Sequence, residues 1–203
     1  MGPSVAAADP EPVAAAGPEA VAAAGPEPVV AGDLEPLAAA SQPASVASAV
    51  LRALRDRRET LAAAESLTGG LVAATMVEIP GASAVFRGGL VVYATELKAI
   101  LAGVPRALLD ERGPVDAQVA GALARGARER CGADWGVATT GVAGPDPQDG
   151  KPVGLVYVAV AGPAGTEVRE LQLAGNRSAI RIESVTAVLQ LLTDSLRAHP
   201  VAV

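Results

Sequence analysis

From residue 60 onward, apolar runs of strand length alternate with segments of helical period, and this alternation constrains the fold more tightly than any other feature of the chain. Residues 60–64 read as a first strand, and Leu71 to about Glu78 as a helix stopped by Pro80-Gly81. Residues 84–94, with Val85, Phe86, Leu90, Val91, Val92 and Tyr93, read as a second strand in which Gly88-Gly89 forms a bulge. A short helix over about 96–101 is ended by Gly103-Val104-Pro105, and a longer one is expected over 116–131 with Asp116 near its N-cap. Residues 135–142 and 154–161 suit buried strands, whereas 166–173 alternates like an edge or half-exposed strand. Two amphipathic helices flank the set. One carries Val46, Ala49, Val50, Ala53 and Leu54 on a single face, and the other spans 179–197. Strands interleaved with helices predict a layered α/β domain with functional groups at the carboxyl ends of its strands.

Ahead of this pattern, residues 9–40 repeat with a period of about eight, each unit punctuated by proline or glycine. Proline every few residues prevents a lasting helix, so residues 1–44 are expected to form a disordered, acidic, low-complexity tail before a folded domain over 45–199. The tail holds six acids (Asp9, Glu11, Glu19, Glu27, Asp33, Glu35) and no base. The net charge of −6 therefore belongs to the tail, because the remaining 16 acids balance all 16 bases. No basic patch stands out, which removes support for nucleic-acid binding. No apolar run reaches the roughly 18 residues that span a bilayer, and Met1-Gly2-Pro3 begins no signal sequence, so a cytoplasmic location away from membranes is expected. Aromatics make up only 2% of a chain that is 50% apolar, so the core must be built from Ala, Val and Leu.

The chemistry concentrates at Ala62-Ala63-Ala64-Glu65-Ser66-Leu67-Thr68-Gly69-Gly70, where a strand-like run ends on a carboxylate and a serine and two glycines open a helix. A hydroxyl at such a junction can sit in an open crevice beside helix N–H groups, which suits an activated serine or an anion site. The single histidine, His199, lies near the C-terminus and is a poor partner for a Ser-His-Asp site. Of 16 bases only two are lysines, Lys98 and Lys151. A lysine surviving in so arginine-biased a chain can mark a base that must lose its proton, which arginine effectively cannot do; chance is the alternative. If the first two strands are neighbours, Ser66, Tyr93 and Lys98 could meet at one sheet edge, with a lysine of lowered pKa as base and the tyrosine hydroxyl as relay or donor. Otherwise Tyr93 packs at a strand end and Lys98 is a solvated helix charge.

Thr139-Thr140-Gly141-Val142-Ala143-Gly144-Pro145 either lets backbone N–H groups approach a phosphate or carbonyl oxygen or is an ordinary glycine turn. Asp146-Pro147-Gln148-Asp149-Gly150-Lys151 is turn-rich and predicts a mobile flap. Arg177 lies just ahead of the last helix and Arg181 one turn on, where they bind a phosphate at the helix's start or are surface charges near Glu183. The lone Cys131 rules out an internal disulfide, makes a thiolate metal cluster a poor reading, and is expected to be a buried small apolar residue.

In order along the chain, Glu65-Ser66-Leu67-Thr68-Gly69-Gly70, Gly88-Gly89-Leu90-Val91-Val92-Tyr93 through Lys98, Thr140-Gly141-Val142-Ala143-Gly144-Pro145 and Lys151-Pro152-Val153-Gly154 resemble the motifs of the CinA C-terminal domain family. The resemblance runs over about residues 46–197. It implies a three-layer α/β/α sandwich with a mostly parallel, mixed sheet of about five strands, usually assembled as a homo-oligomer. It further implies the activity of the family's characterised members. These hydrolyse the carboxamide of nicotinamide mononucleotide to nicotinate mononucleotide and ammonia in pyridine nucleotide salvage, without metal or cofactor.

By position, Ser66, Tyr93 and Lys98 match the family's serine, tyrosine and lysine. Neutral Lys98, assisted by Tyr93, would deprotonate Ser66 for attack on the carboxamide carbon. N–H groups near Gly69, Gly70 or Gly141 would stabilise the oxyanion, and Arg177 and Arg181 would take the ribose 5′-phosphate. Glu65, Thr68, Thr140 and Gly144 complete the expected substrate contacts. The chain departs from the family at Leu67, where cysteine is usual, at Ala94-Thr95, where Ser-Asn is usual, and at 145–150, which is poorer in glycine. Larger family proteins carry a separate N-terminal domain of molybdopterin-binding type; here the acidic repeat stands in that place, so the stand-alone form is expected. Two other readings are a non-catalytic nucleotide-binding module of the same fold and a partner-docking protein acting through its tail.

Overall fold

The structure, a computed structural model, describes residues 41–200, so the acidic repeat over 1–40 lies outside the described residues. The elements run α1 (Ser41–Arg57), β1 (Leu61–Glu65), α2 (Leu71–Val77), β2 (Phe86–Val91), α3 (Thr95–Ile100) and α4 (Arg106–Arg112). They continue as α5 (Ala117–Arg130), β3 (Trp135–Gly141), β4 (Leu155–Gly162), β5 (Gly165–Gln172) and α6 (Arg177–Ala198). One five-stranded sheet has the order β2-β1-β3-β4-β5. β1 pairs in parallel with both β2 and β3, whereas β4 runs antiparallel to β3 and to β5. Four strands therefore point one way and β4 alone opposes them. This is the expected mixed, mostly parallel sheet with helices on both sides.

That polarity decides where the site forms. β1, β2, β3 and β5 all end at the same edge of the sheet, and β4 begins there. The Ser66 turn, the Tyr93–Lys98 segment, the long β3–β4 loop and the start of α6 consequently open side by side. The Pro163-Ala164 turn joining β4 to β5 lies at the opposite edge.

Strand alternation divides the core in two. Leu61, Ala63, Val137, Val156, Val158 and Val160 pack with α1, α2 and α6, where Val50, Leu54, Met76, Val188, Leu189 and Leu192 are buried. Ala62, Ala64, Ala138, Ala159 and Ala161 meet Val119, Ala120, Leu123, Ala124 and Ala127 of α5 on the other face. So many small residues let α5 lie close against the sheet. A Cβ added at Gly136 would fall into the backbone of α5 at Ala124 O and Arg128 N. Gly136→Ala is accordingly expected to cost about 2 kcal/mol or more of unfolding free energy, measured by urea denaturation, because the helix itself must move. Among the described residues no helix is long and apolar enough to cross a membrane.

Some boundaries differ from the sequence-based expectation. α1 begins at Ser41 and α6 at Arg177, where the Asn176 side chain caps the helix by accepting from the Ala179 N–H. β2 starts only at Phe86, because a short 3-10 turn occupies Ala82–Ala84. Its bulge falls one residue earlier than expected: Leu61 pairs with Phe86 and Ala62 with Gly88, which leaves Arg87 as the extra residue. α4 has a single fully buried side chain, Leu109, too little periodicity to show in the sequence. Cys131 is half-buried and free.

Candidate active site

β1 ends on Glu65, and the pleat that points Leu61 and Ala63 towards α2 points Glu65 the same way. Its carboxylate is fully buried beneath the start of α2. Glu65 Oε2 accepts from the Thr68 hydroxyl (2.7 Å) and from the N–H groups of Gly70 (2.9 Å) and Val72 (3.0 Å). Oε1 accepts from the Ala73 N–H at 2.8 Å. Every contact is a donor, so both carboxylate oxygens serve only as acceptors. Thr68 gives its proton to Glu65, which makes Thr139 Oγ1, 2.7 Å away, the donor to Thr68.

The helix end that the sequence offers to an external anion is thus filled by the protein's own carboxylate. Glu65, Thr68, Gly69 and Gly70, expected as substrate contacts, do not line the cleft. The Gly70 N–H is bound to Glu65, and the Gly69 N–H closes a turn on the Ser66 carbonyl at 3.1 Å. Both glycines adopt positive φ (59° and 99°) to reverse the chain into α2. Glu65→Ala strands four donors and is expected to cost about 3 kcal/mol or more in urea unfolding. Glu65→Gln should lose much of that too, since its NH2 must face a donor.

Ser66 follows immediately, with its N–H donated to Thr139 O at 3.0 Å and only 8% of its surface exposed. Its partner comes from α3. Lys98 is 1% exposed, and among the described residues no carboxylate forms a salt bridge with it. Its Nζ donates to Ser66 Oγ (3.1 Å) and to the carbonyls of Val92 (2.8 Å) and Tyr93 (3.3 Å). Burial lowers its pKa from 10.5 to about 8, against an opposing influence of Glu96. When the amine is neutral, its two N–H bonds can stay on the carbonyls while the lone pair faces Ser66 Oγ.

The same shift couples to folding. Between about 8 and 10.5 the unfolded chain holds a proton on Lys98 that the folded chain has released, so stability rises with pH across that window. The contribution is complete above 10.5 and is lost as the pH falls through about 8. Denaturant titrations at several pH values should show wild type gaining about 3 kcal/mol relative to Lys98→Met over this range.

The cleft above Ser66 and Lys98 is open to solvent. Gly141 and Gly144 form part of its wall, and Arg177 stands at its rim. Arg177 Nη1 donates to Gly144 O (2.7 Å) and Nη2 to the Tyr93 hydroxyl (3.2 Å). Tyr93 is 62% exposed. The expected relay through its hydroxyl is therefore corrected: that hydroxyl pairs with Arg177, and Tyr93 meets Lys98 through its carbonyl.

Two further expectations change. Arg181 donates through Nε to Leu67 O (2.9 Å) and through Nη2 to Thr68 O (2.7 Å), so it braces the serine turn instead of facing the cleft. Thr140 is buried, with its hydroxyl donated to Pro114 O at 2.6 Å. Conversely, Thr95, Pro114 and Val115 line the cleft without having been anticipated, and Asp146 and Gln148 line it from the altered 145–150 loop, which is expected to border the pocket. Pro114 and Val115 carry no polar side-chain signal. Asp146 and Gln148 were legible only as an every-other-residue pair before the hairpin dipeptide Asp149-Gly150. Among the described residues no group of His, Cys, Asp and Glu side chains could hold a metal ion.

A serine against a buried lysine at the base of a polar cleft is equipped for nucleophilic attack on a carbonyl. The comparisons agree on kinship. The model of the CinA C-terminal domain matches residues 43–196. A CinA-like protein of Frankia casuarinae is 49% identical over 156 residues, covering 77% of this chain and 36% of that protein. A CinA-like protein of Geobacter sulfurreducens is 52% identical over 148 residues, covering 72% and 35% respectively. The chain thus spans about a third of the length of these curated relatives. The crystal structure of the competence/damage inducible protein CihA from Agrobacterium tumefaciens superposes with a TM-score of 0.73 at 34% identity, over 77% of this chain and 96% of that one. The competence damage-inducible protein A (ComA) of Klebsiella pneumoniae gives a TM-score of 0.75 at 28% identity, over 78% and 99%.

Proposed function

The chain belongs to the CinA C-terminal domain family, and on that premise we propose that it is an amidohydrolase, cleaving nicotinamide mononucleotide to nicotinate mononucleotide and ammonia. The observation that carries the reading is the buried Lys98, 3.1 Å from Ser66 Oγ and with a pKa lowered to about 8. Neutral Lys98 takes the Ser66 proton as Oγ attacks the carboxamide carbon. The carbonyl oxygen becomes an oxyanion beside the Leu67 N–H, which has no hydrogen bond among the described residues and adjoins the nucleophile. Protonated Lys98 then delivers its proton to the departing nitrogen, ammonia leaves, and an ester to Ser66 remains. Water, deprotonated by the same lysine, cleaves that ester and restores the serine.

Arg177 supplies the positive charge at the rim for the 5′-phosphate, held in place by Gly144 O and the Tyr93 hydroxyl. The same reading has the protein act in the cytoplasm as a homo-oligomer without a cofactor; light scattering after size-exclusion chromatography checks the assembly. The direct test incubates purified protein with nicotinamide mononucleotide and follows ammonia and nicotinate mononucleotide. Saturable binding without ammonia release would identify a nucleotide-binding module of the same fold instead.

A further inference from the structure

Of the two arginines in the first turns of α6, only Arg177 lines the cleft. The guanidinium of Arg181 lies half-buried against the serine turn, where Nε donates to Leu67 O (2.9 Å) and Nη2 to Thr68 O (2.7 Å). A Cβ added at Gly69 would sit 3.5 Å from that Nη2. Among the described residues no carboxylate forms a salt bridge with Arg181, so its protein partners are two backbone carbonyls. Leu67 and Thr68 are the central residues of a turn closed by the Gly69 N–H on Ser66 O (3.1 Å). Thr68 O also accepts from the Leu71 N–H (3.3 Å), whereas Leu67 O has no other donor among the described residues. The turn is thus held from both sides of its hydrogen bonding. The Glu65 carboxylate takes the Thr68 hydroxyl and the N–H groups of Gly70, Val72 and Ala73, while the Arg181 cation takes the carbonyls.

Ser66 Oγ and the Leu67 N–H are carried by residues on either side of one peptide bond, whose carbonyl is fixed by the Gly69 N–H. The next peptide plane, between Leu67 and Thr68, sets the rotation about Leu67 Cα, and Arg181 is the only donor to its carbonyl among the described residues. The planar guanidinium fork meets two adjacent carbonyls at once; a lysine ammonium keeps the charge but not the fork. Displacing reacting atoms by about 1 Å costs about 10^2-fold in rate. We propose that Arg181 is a positioning residue, which locks the Ser66–Gly69 turn so that the serine hydroxyl and the Leu67 N–H face the same reacting carbonyl, without itself touching substrate. The proposal rests on Ser66 as the nucleophile of the amidohydrolase reading, but not on which amide is cleaved.

The test reads the serine itself as well as turnover. A fluorophosphonate reagent phosphonylates an activated serine: Oγ bonds to phosphorus, fluoride leaves, and the serine proton passes through Lys98 to water. The full chain as wild type, Arg181→Lys and Arg181→Met is labelled well below the thermal midpoint of each, and the rate at Ser66 is followed by mass spectrometry. Arg181→Met should label about 10^2-fold more slowly and Arg181→Lys about tenfold more slowly. For nicotinamide mononucleotide, kcat should fall in parallel while KM stays within about threefold. A merely structural arginine would lower the thermal midpoint and leave the rates of the folded variants alone. If Arg181→Met does not fold, Arg181→Lys decides. Labelling of the folded variants at the wild-type rate overturns the proposal, as does a raised KM at unchanged kcat, which would make Arg181 a phosphate ligand. A wild-type Ser66 that does not label overturns it together with the amidohydrolase. Otherwise the two readings fail separately. Labelling that depends on Arg181 in a protein that releases no ammonia sinks the amidohydrolase alone, whereas hydrolysis at rates indifferent to Arg181 sinks the positioning role alone.

Discussion

Replacing Ser66 with alanine should lower kcat for ammonia release by about 10^4-fold or more while leaving nicotinamide mononucleotide binding within a few-fold of wild type. The substitution is unusually clean because the turn around Ser66 is held by its backbone, through the N–H bonded to Thr139 O and the carbonyl accepting from Gly69. Loss of the hydroxyl removes the nucleophile and one acceptor of Lys98, and leaves the fastening of α2 to Glu65 intact. Turnover and ligand affinity, measured separately, distinguish a missing nucleophile from a damaged cleft. A variant that keeps a tenth of the wild-type rate would show that Ser66 does not attack.

The second large effect concerns proton transfer. If neutral Lys98 is the base, kcat/KM should rise about tenfold per pH unit below 7 and level off above about 8, because only about a tenth of the lysine is neutral at pH 7. Lys98→Met should reduce kcat by about 10^2- to 10^4-fold and abolish this pH dependence. Lys98→Arg should not restore activity, although it keeps the positive charge, because a guanidinium does not release its proton in this range. A pH profile that is flat from 6 to 9, or an active arginine variant, would rule out the lysine as base.

How far the sequence could be read depended on whether a feature was local. Periodicity located every strand of the sheet, because β1, β3 and β4 are buried on both faces and read as apolar runs, while β5 is exposed along nearly its whole length. The short α4, with one buried residue, carried no comparable signal. In the site, the pairing of Ser66 with Lys98 could be anticipated because lysine is scarce and the second strand leads directly into it. What the sequence concealed was the burial of Lys98. In Thr95-Glu96-Leu97-Lys98-Ala99-Ile100 it looks like an ordinary surface charge, and only the tertiary position of α3 above the end of β1 removes it from water. Glu65 shows the converse. Its presence at the strand end was obvious, but its role follows from pleat parity, which it shares with Ala63, and that parity directs it to α2 and away from the cleft. Arg177 and Arg181 lie one turn apart, yet only the first reaches the rim, because the second is drawn back to the carbonyls of Leu67 and Thr68.

The lone reversed strand also has a practical consequence. Since β4 carries the chain away from the edge that holds Ser66, the Pro163-Ala164 connection sits a full strand length from Ser66 and its neighbours. Surface turns of this kind are where foreign sequence is most readily accommodated. An affinity handle or fluorescent reporter spliced between Pro163 and Ala164 would therefore be carried at the far end of the sheet, giving a labelled protein whose cleft is left alone.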